Sequence, residues 1–287
     1  MRKTICLQRA LRHLVRDVLM LVIGCSSWLA GAHAAPSGSD SPRVAILAYH
    51  RFDSTRAVDS MTVRVATFEA QLHFLREHGY RIVTLPEIVD WLATPDASLP
   101  DKAVAFTADD GHRSVYEVLM PIAVRERLPF TLFIYPSAIS NASYALTWTQ
   151  LKALQQTGLF DVQSHTYWHP NFNLERAHRS PDDFHRFVER QLVDSRNRLH
   201  AELGVEATML AWPFGIVDSE LTSIAASTGY RAAFTIAGHM VDKHSPPLAV
   251  SRLLITDADT PSVLARRLGE PQTQARAQPE FVKGRLP

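Results

Sequence analysis

The chain has 287 residues, a formal net charge of +1 and 46% hydrophobic residues. That length accommodates one large α/β domain or two small ones, and the near-neutral balance gives no support to nucleic-acid binding or to a strongly acidic partner. Both cysteines, Cys6 and Cys25, fall near the N-terminus, so the rest of the chain offers neither disulfides nor thiolate chemistry, and any metal must be held by histidine and carboxylate.

Residues 1–35 read as a signal peptide. Arg2, Lys3, Arg9, Arg12 and Arg16 form a basic opening, and an apolar stretch begins at Val18–Ile23. Cys25, Ser26 and Ser27 interrupt it before Ala34, which leaves it too short and too polar for a membrane span. Ala32-His33-Ala34 ahead of Ala35 has the small-x-small form of a cleavage site. Val22-Ile23-Gly24-Cys25 is a rival cut that resembles a lipobox and would anchor the protein to a membrane through a lipidated Cys25. The apolar residues that continue after Cys25 favour the soluble product. Export to the periplasm, the cell surface or the extracellular space is expected either way. Residues 36–43 form a Pro/Ser/Gly linker.

From Val44 onward, apolar runs rich in Val, Ile and Phe alternate with amphipathic stretches. A strand is expected at 44–49 and a helix at 68–78, followed by strand 81–84, helix 85–92 and strand 103–107. Helix 114–127 comes next, with Pro121 placed to kink or shorten it. Strand 131–135, helix 149–156, strand 160–164 and helix 181–203 follow. The series ends with strand 207–212, helix 218–228, strands 232–235 and 248–254, and helix 261–268. Seven or eight β–α repeats without a composition break indicate one barrel-like α/β domain over 44–270. Residues 271–287 are polar, contain three prolines and read as a loosely ordered tail.

Four clusters fall where these strands give way to loops: His50, Asp109-Asp110, His165 and Pro213-Phe214-Gly215. In a parallel barrel that edge is one face of the molecule, where such folds place their chemistry. Asp109-Asp110-Gly111 alone could be an ordinary turn. It runs directly off an apolar strand, however, where a carboxylate without a partner is costly. Neighbours on an extended segment point apart, so one carboxylate can bind a metal while the other faces a substrate. His165 and His169, with Pro170 barring a regular helix, could both reach one ion. Two histidines plus Asp110 would leave open positions, as catalytic sites need. These features indicate a metal-dependent hydrolase. Trp148, Tyr167, Trp168, Trp212 and Phe214 suit either sugar-binding walls or core packing. His185 and His200 belong on a solvated helix face, and His112 and His178 in loops or on the surface.

Thr107-Ala-Asp-Asp-Gly111, Ser164-His-Thr-x-x-His169 and Trp212-Pro-Phe-Gly215 resemble three motifs of the polysaccharide deacetylases, the NodB-homology or carbohydrate esterase family 4 group. Ile46-Leu-Ala-Tyr-His-Arg51 resembles the rearranged branch that includes the poly-β-1,6-N-acetylglucosamine N-deacetylases of biofilm systems. The resemblance spans roughly Val44 to Leu268 and implies a deformed (β/α)7 TIM-like barrel in a single domain. It makes Asp109 the general base, His50 the general acid, and Asp110, His165 and His169 the ligands of one divalent metal. Zinc comes first among the metals, with cobalt, nickel, iron and manganese permitted. It also puts a backbone N–H near Phe214 on the oxyanion and lines the substrate pocket with Trp148, Trp212 and Phe214. The implied reaction is removal of N-acetyl groups from N-acetylglucosamine residues of an exported polysaccharide by a monomer. Peptidoglycan or chitin-type substrates, and an inactive glycan-binding barrel, remain as alternatives. One departure matters: much of the family has an Arg two residues before the Pro of the third motif, pairing with the base, where this chain has Ala211. Arg252, on a later strand, is a candidate to replace it.

Overall fold

The computed structural model describes residues 42–271. The signal peptide, the Cys25 lipidation alternative, most of the linker and the tail beyond Pro271 lie outside the described residues.

The chain opens with β1 (Arg43–Tyr49), a small parallel ribbon of β2 (Arg51–Asp53) and β3 (Thr62–Arg64), and α1 (Val65–Glu77). Next come β4 (Arg81–Ile82), α2 (Leu85–Ala93), β5 (Lys102–Asp109), a π-helical turn Val115–Leu119 and α3 (Met120–Glu126). β6 (Phe130–Ile134), α4 (Trp148–Gln156), β7 (Phe160–Ser164), α5 (Phe172–Ala177) and α6 (Pro181–Leu203) follow. The last elements are β8 (Met209–Ala211), α7 (Ser219–Ser227), β9 (Ala232–Phe234), β10 (Leu253–Leu254) and α8 (Pro261–Arg267).

Every pairing in the main sheet is parallel, in the order β10-β1-β5-β6-β7-β8-β9, with β4 added beside the first half of β5. The two edges of this curled sheet meet through one segment. Phe234 bridges Val250 in parallel, Thr235 donates its N–H to the Val250 carbonyl at 2.8 Å, and Leu253–Leu254 pair with β1. The deformed seven-stranded barrel is therefore the fold. The expected strand 248–254 is shortened to β10 because the segment serves β9 first and β1 second, and makes no continuous ladder with either.

Strand alternation separates the two sides of the barrel wall. Val44, Ile46, Ala103, Ala105, Phe133, Met209, Ala211 and Phe234 form one cluster with α2 residues. These strands are not all neighbours in the sheet, so they meet only across the barrel interior. Tyr49, Val104, Phe106, Leu132, Ile134 and Val162 face the other way, against Phe68, Leu119 and Leu151 of the helical layer. A third cluster packs α5, α6 and α7 on the outer faces of β8 and β9. Extending the inward register by two residues to the C-terminal edge reaches His50 after Ala48, Asp109 after Thr107, Tyr135 after Phe133 and His165 after Gln163. The apolar interior thus turns polar at one end.

Three differences from the sequence expectation have local causes. The expected helix 114–127 is split: Met120 N–H reaches back five residues to Val115 O, and α3 begins with Pro121 in its first turn, where a missing N–H costs least. The strand expected at 81–84 stops at Ile82 because Thr84 caps α2, its hydroxyl accepting from Glu87 N while Glu87 reaches back to Thr84 N–H. The β2–β3 ribbon and α5 are too short for their periodicity to register.

Candidate active site at the C-terminal edge of the barrel

Asp109 ends β5 and is almost wholly buried. Arg252, fully buried on the segment that closes the barrel, donates from Nη1 to Asp109 Oδ1 at 2.7 Å and from Nη2 to Oδ2 at 2.6 Å. The same guanidinium donates to Thr107 Oγ1 (3.0 Å) and to the Thr235 carbonyl (3.2 Å), and lies 5.1 Å from the Phe133 ring centroid. Burial alone would raise the carboxyl pKa. The charge and hydrogen bonds of Arg252, helped by His165 and His50, outweigh it and hold Asp109 well below the usual carboxylate range. Arg252 therefore supplies the pairing that Ala211 cannot. Ala211 contributes through its backbone, its carbonyl lying 2.7 Å from His165 Nδ1. A carbonyl can only accept, so Nδ1 carries the proton and Nε2 is left as a free ligand atom.

Asp110 does not continue the strand. Its φ of +71°, followed by Gly111 at +66°, turns the chain through two left-handed residues. This turn, and not strand alternation, brings both carboxylates to one cleft. A Cβ on Gly111 would sit 3.0 Å from both Ile134 Cδ1 and Ile139 Cδ1, so the turn is also tight. Beyond β7, Thr166 (φ +64°) and His169 (φ +64°) coil the chain back, and His169 N–H donates to Thr166 Oγ1 at 3.1 Å. The histidine pair consequently meets across a turn, its rings 4.6 Å apart.

His165 Nε2 and His169 Nε2 lie 3.6 and 3.7 Å from Asp110 Oδ1. One ligand atom from each of the three residues falls within 4.8 Å of the others. These separations are long for hydrogen bonds but match ligands sharing one ion. Two atoms each about 2.1 Å from a tetrahedral centre stand roughly 3.4 Å apart. Burial depresses both imidazole pKa values, that of His169 to about 4 with a further push from its neighbour His165, so both are neutral as ligation requires. The donor set fits a divalent metal.

His50, Asp109, Asp110, His165, His169 and Phe214 all line one cleft of about 210 Å³. His50 Nδ1 is buried there with no hydrogen-bond partner among the described residues. Phe214 (φ +58°) is 56% exposed, with its ring 4.7 Å from that of His169. Trp212 touches the cleft but belongs to the helical layer: it is buried, packs edge-on to Phe172, and its Nε1–H donates to the Leu248 carbonyl. Trp148 is not brought to the cleft. Its position at the start of α4 sets its ring against the outer core and under Arg198 of α6. Tyr135, missed in the sequence, packs its ring 5.3 Å from His169 and 6.3 Å from His165. Its inward register after Phe133 was the available signal. A larger hollow of about 330 Å³, lined by Leu85, Pro129 and Phe160 among others, holds no histidine and one carboxylate, so size does not decide the site.

Known proteins share this parallel barrel and parts of its sequence. Residues 96–233 match the family model for polysaccharide deacetylases. A poly-β-1,6-N-acetyl-D-glucosamine N-deacetylase of Staphylococcus aureus is 22% identical over 263 residues, covering 83% of this chain and 90% of the relative. Among solved structures, IcaB from Ammonifex degensii superimposes with a TM-score of 0.68 at 25% identity over 79% of this chain and 97% of that one. The Streptococcus pyogenes deacetylase PplD gives a TM-score of 0.70 at 24% identity, over 80% and 100%.

Proposed function

We propose that the protein removes N-acetyl groups from N-acetylglucosamine residues of an exported β-1,6-linked polysaccharide, using one divalent metal, with zinc the first candidate. The observation that carries this reading is the division of labour between adjacent carboxylates. Asp109 is held by Arg252 beside the Asp110–His165–His169 cluster without belonging to it. The similarity to poly-β-1,6-N-acetyl-D-glucosamine N-deacetylases supports the substrate.

Bound at Asp110, His165 and His169, the ion would polarise the acetamide carbonyl and acidify a water molecule, to a pKa near about 7 in well-studied cases. Asp109 accepts the proton as water attacks. Each of its oxygens already accepts from Arg252 but retains a further lone pair. Its bidentate partner fixes the carboxylate plane, so the acceptor is in place before substrate arrives. A backbone N–H near Phe214 assists the developing oxyanion, a contribution of about 3 kcal/mol for a good donor. His50 then donates a proton to the departing amine as the C–N bond breaks, leaving acetate and a glucosamine residue. An inactive glycan-binding barrel loses its motivation, because Arg252 stands in for the Arg absent at Ala211.

The test is acetate release from β-1,6-linked N-acetylglucosamine oligomers by the purified protein, with added zinc, cobalt or nickel and again after chelation. Metal-dependent release is expected. Release only from β-1,4-linked oligomers or peptidoglycan would move the substrate, and no release from any of them with metal bound would overturn the reading.

A further inference from the structure

We propose that Tyr144, braced by Tyr135 and His112, is a platform for the sugar next to the reacting one, and that it makes the site favour oligomers over short substrates. This inference rests on the deacetylase reading above.

Tyr144 is 42% exposed and joins none of the three core clusters. A single exposed aromatic is ordinary. This one is unusual in being held rigid from three sides. Its carbonyl accepts from Arg113 N–H at 2.8 Å, Leu146 N–H donates to Gly111 O at 2.8 Å, and Ala145 bridges His112 in antiparallel fashion. The segment carrying Tyr144 is therefore zipped onto the residues that immediately follow Asp109-Asp110. Ser140, at φ +63°, turns the chain back to make this possible, its N–H donating to Leu146 O.

The ring is braced as well. It stacks on His112, with planes 10° apart and centroids 6.3 Å apart. His112 is itself fixed, its Nδ1 accepting from the Ser114 hydroxyl (2.8 Å) and N–H (3.2 Å). The Tyr144 hydroxyl meets that of Tyr135 at 2.7 Å, and the Tyr135 ring packs against His169. Tyr144 is thus one aromatic ring removed from the ligand cluster, on a support continuous with it.

The exposed hydroxyl pair also keeps a donor that water satisfies in the free protein and a ligand hydroxyl would take over. Two phenols bring two O–H groups, and one O···O contact uses one hydrogen. Among the described residues neither phenol has another partner, so one O–H remains to donate. A fixed aromatic face with a free donor at its edge matches a pyranose, which presents axial C–H bonds on its face and hydroxyls on its rim. In a polymer the unit beside the reacting sugar is the one such a neighbouring platform can meet.

The experiment compares kcat and KM across β-1,6-linked N-acetylglucosamine oligomers from dimer to hexamer for the full chain and for Tyr144→Ala and Tyr144→Phe. Wild-type kcat/KM should rise with length. Tyr144→Ala should lower it for the hexamer about tenfold, through KM, flattening the length dependence, while Tyr144→Phe, which keeps the ring and loses the hydroxyl, should lose about two- to threefold through KM. An unchanged length dependence in Tyr144→Ala would overturn the platform. So would an equal fall in kcat for dimer and hexamer, which would make Tyr144 a brace for the Asp109–Asp110 turn. Should Tyr144→Ala fail to unfold cooperatively, Tyr144→Phe decides: no rise in hexamer KM would overturn the role of the hydroxyl pair. Wild-type release that does not depend on length would sink this inference alone, whereas no release from any oligomer would sink the deacetylase reading itself.

Discussion

Asp109 and Asp110 are adjacent in sequence, yet one is locked to a buried guanidinium and the other faces two imidazoles. The proposed roles separate cleanly by mutation. Asp109→Asn is expected to abolish turnover while metal content, measured by elemental analysis, stays intact; His169→Ala should lose both. Arg252→Met leaves a buried carboxylate without its counter-charge, which should cost about 3–5 kcal/mol in denaturant unfolding. Adding Asp109→Asn to Arg252→Met should recover part of that loss, since the stranded charge is then gone. Acid sensitivity follows from the same residues. Asp109 has a folded pKa below its unfolded one, so its contribution is complete above the ordinary carboxylate range and is lost as pH falls through the folded value. His169 titrates at about 4 when folded against an ordinary 6.5, so between those values the unfolded chain takes up a proton that the folded chain refuses. Both effects weaken the fold on acidification. The melting temperature of metal-free protein should fall from pH 7 to pH 4, and His169→Ala should flatten the upper part of that fall, above pH 4. A pH-independent melting temperature in that window would contradict the burial of His169.

At the level of elements, the site is built from strand ends and the left-handed turns that follow them. Asp110, Thr166, His169 and Phe214 are four of the six non-glycine residues with positive φ among the described residues, and all four belong to the cleft or the turn that forms it. Such conformations cost about 1–3 kcal/mol each and persist only where the surroundings impose them. Gly215, at φ +69°, shows how tight one of these turns is. A Cβ there would lie 2.6 Å from Ile236 Cγ1 and 3.2 Å from Ile236 N. Gly215→Ala should therefore displace the Pro213–Gly215 turn, lowering kcat/KM by at least about tenfold for roughly 1–3 kcal/mol of stability. Wild-type activity in that variant would show that the Phe214 backbone takes no part in the reaction.

For the whole molecule, the parallel sheet places loops from β5, β7 and β8 over one opening, so a ligand held there ties distant parts of the chain together. An ion bound only by the folded state should add about 2.7 kcal/mol at one hundred times its dissociation constant. For a domain of this size that corresponds to a rise of roughly 5–10 °C in the melting temperature. Zinc titration should show that rise, chelation should reverse it, and His169→Ala should abolish it. No shift with zinc, cobalt or nickel would argue against the ligand set.

The barrel and the gathering of Asp109, Asp110, His165, His169 and His50 on one edge of it were legible because they rest on local signals: period-two apolar runs, a turn after each, and short polar motifs at the junctions. Strand 160–164 and helix 181–203 were legible to the residue, their ends being set by nearby Gly, Ser and Pro. The pairing of Arg252 with Asp109 spans 143 residues of sequence and exists only because the segment at 250–254 closes the barrel beside β1. Of the three aromatics expected at the pocket, Phe214 and Trp212 line the cleft and Trp148 does not. Alternation sends the body of Trp212 to the helical side, helix packing takes Trp148 away from the cleft, and a folded loop carries Tyr144 to the hydroxyl of Tyr135. Sequence alone determined which residues have the types and spacing for the proposed chemistry, since those are properties of the chain. Which of them touch, and through what neighbours, was decided by tertiary closure, because a contact across the barrel interior leaves no trace in local spacing.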